Sequence, residues 1–429
     1  MDICIIADDL TGANDSGVQC TQYGYRPSVA LNTTNMEEFI DREALVIDTD
    51  SRGVPVEEAY TIVKEAVAPF VQNKPKLLYK KIDSTMRGNI GRELDALYDA
   101  FSPDFIIATP AYPANGRTVI NGALYVNDVL LTETGIATQP DQAFESAQIT
   151  DLLQTTSDKQ TYHLKKEELT SATLPALLTQ LKEEGIVYLS FDSESELELE
   201  QQVKLFSSLD FQLIWAGSAG AAQYLPPAYG LKGTFHGSTA ETKSFTCNSA
   251  LFVVGSRSEV TQQQKAFVAE SIQTFTINPT LFLEDEWKTH PSIQEVLQKI
   301  SANEAPFLLL SPETDEGAIE RVKEKAAANN LTMAETTKQI ASGMGDLVRA
   351  IFEIEPYESM LMTGGDIAKA VCASLESTEF ELIREFETGI PIGKLHGTYN
   401  PVAITKAGAF GSEETFSQAL HELKGEVQT

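Results

Sequence analysis

Basic side chains are scarce in this chain. Its 429 residues hold 32 lysines and arginines against 62 aspartates and glutamates, for a formal net charge of −30. A nucleic-acid backbone is bound by neutralising its phosphates, so no nucleic-acid partner is expected. An anionic membrane surface is disfavoured for the same reason. The acidity reads as a solubility device. If a substrate is anionic, the few cations must be concentrated where it binds.

Cysteine is as sparse. Cys4, Cys20, Cys247 and Cys372 stand far apart with no metal-ligand spacing, which predicts a reduced, cytoplasmic protein without a disulfide framework. No apolar run approaches the length of a membrane span. The first strand is short, lacks a basic leader and breaks at two acids, so no signal peptide is expected.

Several motifs are missing as well. There is no G-x-x-x-x-G-K-[ST], and no G-x-G-x-x-G follows a strand, so neither a Walker loop nor a nicotinamide site is expected. No H-E-x-x-H, C-x-x-C or EF-hand loop occurs, which argues against a dedicated metal cage and leaves any metal ligands unassigned. The segment Gly217-Ser218-Ala219-Gly220 is not a nucleophile elbow. The five histidines stand alone and read as packing or surface residues.

What is present is an alternation. Hydrophobic residues make up 42% of the chain, and its length fits two domains rather than one core. Strand-like runs (Ile3–Ala7, Val29–Leu31, Ala44–Asp48, Leu77–Ile82, Phe105–Thr109, Ile186–Phe191, Leu213–Ala216) alternate with helical stretches such as Val56–Val71 and Leu197–Leu209. A second series follows: Leu251–Gly255, Thr274–Ile277, Phe307–Leu310, Met360–Thr363 and Val402–Lys406. Such alternation predicts an α/β protein of two domains, each a mostly parallel sheet flanked by helices. The glycine- and proline-rich stretch after Tyr224 places the boundaries at 1–230, a linker at 231–247, and 248–429. The stretch Gln139–Gln160 has the weakest periodicity.

The chemistry gathers at strand ends. The first strand runs straight into Asp8, Asp9, Leu10, Thr11 and Gly12, and carboxylates at the carboxyl end of a strand lie where open α/β sheets bind ligands. The segments from Lys80 to Leu94 and from Thr109 to Val126 have the same polar, glycine-bearing character. Together they suggest a small, heavily hydroxylated ligand. A haloacid-dehalogenase-type phosphatase also opens with a strand and two aspartates, but spaces them by one residue. Asp8 and Asp9 are adjacent, and neighbouring strand residues point to opposite faces. The pair shares a face only if the strand has already ended.

The second half carries a phosphate-type pattern. Thr363, Gly364, Gly365, Asp366 and Ile367 form a strand end, a glycine turn and a helix start, where backbone N–H groups can meet an anion. Gly255, Ser256, Arg257 and Ser258 precede a helix over 261–271, and Lys406 through Gly408 to Gly411 closes the last strand. Three such ends in one sheet make a nucleotide cradle.

The strings ADDLTGANDSGVQ, DTDSRG, KKIDSTMRGNIGREL, TPAYPANGRTVINGALYVNDVLL, AGSAG, VGSRS, TGGD and TKAGAFG, in this order across nearly the whole chain, resemble the four-carbon acid sugar kinases. This family, once called DUF1537, includes D-threonate, D-erythronate and 3-oxo-tetronate kinases. The resemblance implies a sugar-acid-binding N-terminal domain, an ATP-binding C-terminal domain, an active site in the inter-domain cleft, and Mg2+-assisted phosphorylation of a terminal hydroxyl. Ala409 departs from the family's usual K-x-G-G-F-G, while Gly408 and Gly411 remain. A homodimer is compatible with this reading. A phosphosugar phosphatase and a non-catalytic sugar-acid or nucleotide sensor are the alternatives.

Roles follow from chemistry. A tetronate's carboxylate calls for arginine or lysine, for which Lys81, Arg87 and Arg117 are candidates, with Arg52 closing the site or pairing with an acid. Hydroxyls suit Asp8, Asp9, Asp15, Asp83, Asn115 and the Gly116 turn. The proton acceptor is expected to be Asp9 or Asp8, then Asp83. Nucleotide contacts are expected from Ser256, Ser258, Thr363, Gly364, Gly365, Asp366, Ile367, Lys406 and Gly408. Asp366 is placed one shell out from Mg2+.

Overall fold

The computed structural model describes residues 1–137, 143–235, 245–302 and 304–426. It divides into two compact units, Met1–His236 and Gly237–Thr429.

In the first unit, eight parallel strands lie in the order Ser28–Ala30, Ala44–Asp48, Ile3–Ala7, Leu77–Lys81, Leu213–Gly217, Phe105–Thr109, Tyr188–Phe191, Thr161–Leu164. The central strands are buried along their whole length, which is why they read as unbroken apolar runs rather than alternating ones. Ile3–Ala7 is flanked by Ala44–Asp48 on one side and Leu77–Lys81 on the other, so the chain winds outward in both directions from it. That is the switch point where such sheets leave a crevice at the carboxyl ends.

The second unit has five parallel strands, ordered Gln273–Ile277, Phe307–Pro312, Ala250–Val254, Ser359–Thr363, Val402–Lys406. An antiparallel hairpin, Ile390–His396 with Glu379–Glu387, continues the sheet. Each sheet is mostly parallel and flanked by helices. The helix over 56–71 is observed as Val56–Val67 followed by a 3-10 turn, Ala68–Phe70. Its start follows Pro55, with Glu57 and Glu58 in the first turn and Lys64 in the last, charges that suit the helix dipole.

The strand Thr161–Leu164 and the hairpin of Glu379–Glu387 with Ile390–His396 were not expected from the sequence, and other features differ too. The segment after Thr109 is not only a strand end, because it builds a separate three-stranded antiparallel sheet from Arg117–Ile120, Ala123–Val126 and Val129–Leu130. The linker is also shorter than 231–247. Gly233 and Phe235 donate their amides to the carbonyls of Tyr23 and Gly24, and Cys247 donates to Leu423 of the second unit. Within 139–160 the described residues include a helix, Ile149–Gln154, and the start of that stretch lies outside the described residues. All four cysteines are buried and none forms a disulfide among the described residues, and burial pushes the Cys4 and Cys20 thiols up to about 12.

Candidate active site

The first strand ends at Ala7, and this settles the geometry of the adjacent acids. Asp8 is fully buried, and Asp9 caps the helix Leu10–Gln19 by accepting the Gly12 amide at 2.8 Å. With the pleat already ended, both carboxylates reach one guanidinium. Arg52 donates through Nε and Nη2 to the two oxygens of Asp8, at 2.8 and 2.9 Å, and through Nη1 to Asp9 at 2.7 Å. Burial would raise the Asp8 carboxyl, but Arg52, Lys80 and Lys81 override it and hold it below the usual carboxylate range. Arg52 is held above its own ordinary value by the same two acids, against the opposing effect of burial. Of the pair, Asp9 is the more open, with a side chain 30% exposed against 0% for Asp8.

Lys81 ends the neighbouring strand and donates to the Ile82 carbonyl. A Cβ at Gly12 would sit 2.9 Å from the Lys81 ammonium and 2.7 Å from Asp9 Oδ1, so the glycine lets lysine and acid crowd the helix start.

Asp83 and Arg87 do not stand open as expected. They bind each other through two bonds, Nε to Oδ2 at 2.8 Å and Nη2 to Oδ1 at 2.9 Å. Asp83 also accepts from the Thr85 amide and hydroxyl. Burial would raise its carboxyl, but Arg87 and Arg52 hold it far below the ordinary value. These partners favour the charged form of Asp83. Arg87, with two donor nitrogens committed, is a weaker carboxylate ligand than the sequence suggested.

Arg117 is less fully paired. It starts the first strand of the small antiparallel sheet, and its Nη1 donates to the Asn115 carbonyl. Among the described residues no carboxylate lies within ion-pair distance of it, and its buried Nε has no partner. Burial and the nearby Arg87 pull its pKa down while Asp83 pushes it up. A half-buried, uncompensated guanidinium is what an anionic ligand would complete. Asn115 is exposed in the turn Pro113–Asn115, and Gly116 closes that turn at φ +68, where a Cβ would strike Asn127. Asp15 sits mid-helix, partly exposed, and its charge acts on the buried phenol of Tyr79.

In the second unit the three expected strand ends are adjacent in the sheet. Gly364 has φ +92, and a Cβ on it would lie 2.9 Å from the Gly255 carbonyl carbon. A Cβ on Gly408 would lie 2.2 Å from Ser256 Oγ. Only glycine allows these turns to meet. The helix Gly365–Ser374 starts without a side-chain cap, so its first amides face outward, and the fully buried Thr363 hydroxyl beside it has no partner among the described residues.

Lys406 and Ser258 both bind atoms of the closing loop. The Lys406 ammonium donates to the carbonyls of Ala407, Gly408 and Phe410 at 2.8, 2.9 and 3.0 Å. Its three N–H bonds are therefore used, and burial lowers its pKa to about 8. Ser258 caps the helix Glu259–Val268 and donates to the Gly408 carbonyl. Both hold the closing loop in shape.

One pocket, of about 220 Å3, opens beside the Gly364–Ile367 turn and Gly255. Its far wall is apolar and comes from segments that carried no motif: Pro279, Pro312, Ile319, Val322, Met333 and Ile340. The two prolines were readable only as turn signals, and helix Met333–Ile354 only as an amphipathic stretch.

Comparison with known proteins agrees with this division. The family model for a sugar-binding N-terminal domain matches residues 3–225, and that for a nucleotide-binding C-terminal domain matches 251–416. A D-threonate kinase of Salmonella typhimurium is 29% identical over 99% of both chains. A D-erythronate kinase of Heliobacterium modesticaldum is 29% identical over 96% of this chain and 94% of its own. A 3-oxo-tetronate kinase of Haemophilus influenzae is 27% identical over 97% and 98%. A solved Haemophilus influenzae structure superposes with a TM-score of 0.75 at 25% identity, covering 98% of this chain and 100% of its own. A Salmonella typhimurium LT2 structure shares the fold with a TM-score of 0.81 at 24% identity, over 98% and 99%. With both family models accounting for most of its length, the chain belongs to the four-carbon acid sugar kinase family, phosphotransferases that act on an alcohol group.

Proposed function

We propose that the protein is an ATP-dependent kinase that phosphorylates the terminal hydroxyl of a four-carbon sugar acid. The observation that carries this is Arg117, a partner-poor guanidinium near the Asp83–Arg87 pair of the sugar-binding unit. It supplies the charge-assisted contact that a tetronate carboxylate needs. Lys81 adds a second cation, and Asp9, the open member of the acid pair, meets the attacking hydroxyl and accepts its proton. Asp8 and Arg52 keep Asp9 oriented. In the other unit, the amides after Gly364 and the Thr363 hydroxyl receive phosphate oxygens, and the apolar wall from Pro312 to Ile340 packs the base. Among the described residues no group of three metal-binding side chains occurs. Mg2+ takes one or two carboxylates and otherwise rides on phosphates and waters. Asp366, exposed in the first helical turn, is a carboxylate that would serve it from one shell out. Bound Mg2+ would neutralise charge on the transferring phosphoryl group.

ADP release measured with and without a panel of D- and L-threonate, erythronate and 3-oxo-tetronates tests the reading. Tetronate-dependent ADP release supports it. Phosphate release from a tetronate phosphate without nucleotide would replace it with a phosphatase, and binding without turnover with a sensor.

A further inference from the structure

Beneath the twin acids lies a buried chain of polar groups with no role in the reaction just described. Lys80 and Glu93 are both completely buried, with the ammonium 3.0 Å from Glu93 Oε2. The other Glu93 oxygen accepts the Ser51 hydroxyl. Ser51 Oγ lies 2.7 Å from the Thr49 hydroxyl, which donates to the Ala7 carbonyl at 2.7 Å. Asn89 donates its side-chain amide to the Ser51 and Val54 carbonyls, at 3.0 and 2.8 Å. The chain thus begins on strand Leu77–Lys81, passes through helix Ile90–Phe101 and the turn 49–52, and ends on the residue before Asp8.

Burying an ion pair is costly, and hydrophobic replacements of the same volume are often as stable. Stability alone therefore gives no reason for Lys80 and Glu93. Their geometry supplies another. Each terminus of the chain is a residue next to the acid cluster, and its middle link, Ser51, is the residue before Arg52. Gly88, at φ +101, lies against the turn, and a Cβ on it would sit 3.2 Å from Arg52 Cγ.

We infer that Lys80, Glu93 and Ser51 are positioning residues that fix the 49–52 turn, and through Arg52 fix the orientation of Asp9 toward the substrate hydroxyl. The inference rests on the reading of Asp9 as a site residue. Misplacement of a reacting group by about 1 Å costs roughly a hundredfold in rate.

The experiment uses the full chain carrying Ser51→Ala, and separately the double substitution Lys80→Met with Glu93→Gln, which removes the charges together. In Ser51→Ala, kcat is expected to fall about 10- to 100-fold while KM for ATP stays within about twofold. Amide hydrogen exchange should quicken about tenfold or more in peptides covering 7–12 and 49–54, and nowhere else. The double variant should show the same loss of kcat per folded molecule, its folded fraction measured alongside because Lys80 also offsets the buried Asp8 charge. Unchanged kcat and unchanged exchange in Ser51→Ala would overturn the inference, as would a loss explained wholly by a lowered fraction folded. If the wild-type protein phosphorylates no tetronate, the kinase reading fails by itself, and the exchange pattern still decides whether this chain fixes the turn. If the double variant does not fold, Ser51→Ala alone decides.

Discussion

Arg117 offers the sharpest test of the sugar-acid site. Arg52 is neutralised by Asp8 and Asp9, and Arg87 by Asp83, whereas Arg117 has only the Asn115 carbonyl. Removing Arg117 thus leaves no buried acid unpaired, and Arg117→Ala should fold with a melting temperature near that of the parent. What it loses is the contact with the incoming carboxylate. A charge-assisted contact truncated on one side costs about 2–4 kcal/mol. At 1.4 kcal/mol per decade, KM for the tetronate should rise about 30- to 700-fold. KM for ATP should move less than about twofold, because every residue of the nucleotide pocket lies in the other unit. A coupled ADP-release assay, varying tetronate at saturating ATP and the reverse, reads both constants. Equal rises in the two, or none, would refute the assignment. Arg87→Ala supplies the contrast. It strands the buried Asp83 carboxylate, so about 1–3 kcal/mol of stability should go, discounted for the partly exposed arginine, and the tetronate KM should change less than in Arg117→Ala.

Asp9→Asn should lower kcat about 10²–10⁴-fold with ATP binding intact, toward the low end because the transition state is loose; a raised tetronate KM at constant kcat would show that Asp9 only grips a hydroxyl. Gly365→Val should place a side chain over the outward amides of helix Gly365–Ser374 and weaken ATP binding by calorimetry, with a normal melting temperature. Lys406 has a pKa lowered from 10.5 to about 8, so the unfolded chain binds the proton more tightly between those values. Relative to Lys406→Met, wild-type stability should therefore rise with pH across that window, and denaturant titrations at pH 7.5 and 9.5 would expose the opposite sign.

The parallel strands were legible because burial on both faces makes each an apolar block between glycine- or acid-bearing ends. Ala44–Asp48 and Phe105–Thr109 needed nothing else. The small antiparallel sheet was missed although its signal was there. Asn121 and Gly122 both have positive φ, as do Asn127 and Asp128, and an Asn-Gly pair between β-branched and aromatic residues is a hairpin turn. In the site, residue types and strand-end positions were readable. Pairing was not, because Arg52 meets Asp8 across 44 residues, and the four-residue step from Asp83 to Arg87 makes a pair only in the particular turn that joins them. The sequence lists three arginines of equal chemistry, and only the fold shows that two are already paired. The Ser51–Glu93 link was hidden for the same reason, as neither residue type marks a site.

The wrapped ammonium of Lys406 has one more consequence. Three carbonyl oxygens at 2.8 to 3.0 Å form the kind of shell that strips a monovalent cation of its water. Here the ion is tethered to the strand whose closing loop it organises. The loop carries its own counter-charge in fixed stoichiometry, so its shape should be indifferent to the surrounding salt, and replacing potassium by a bulky quaternary ammonium ion should leave nucleotide affinity where it was.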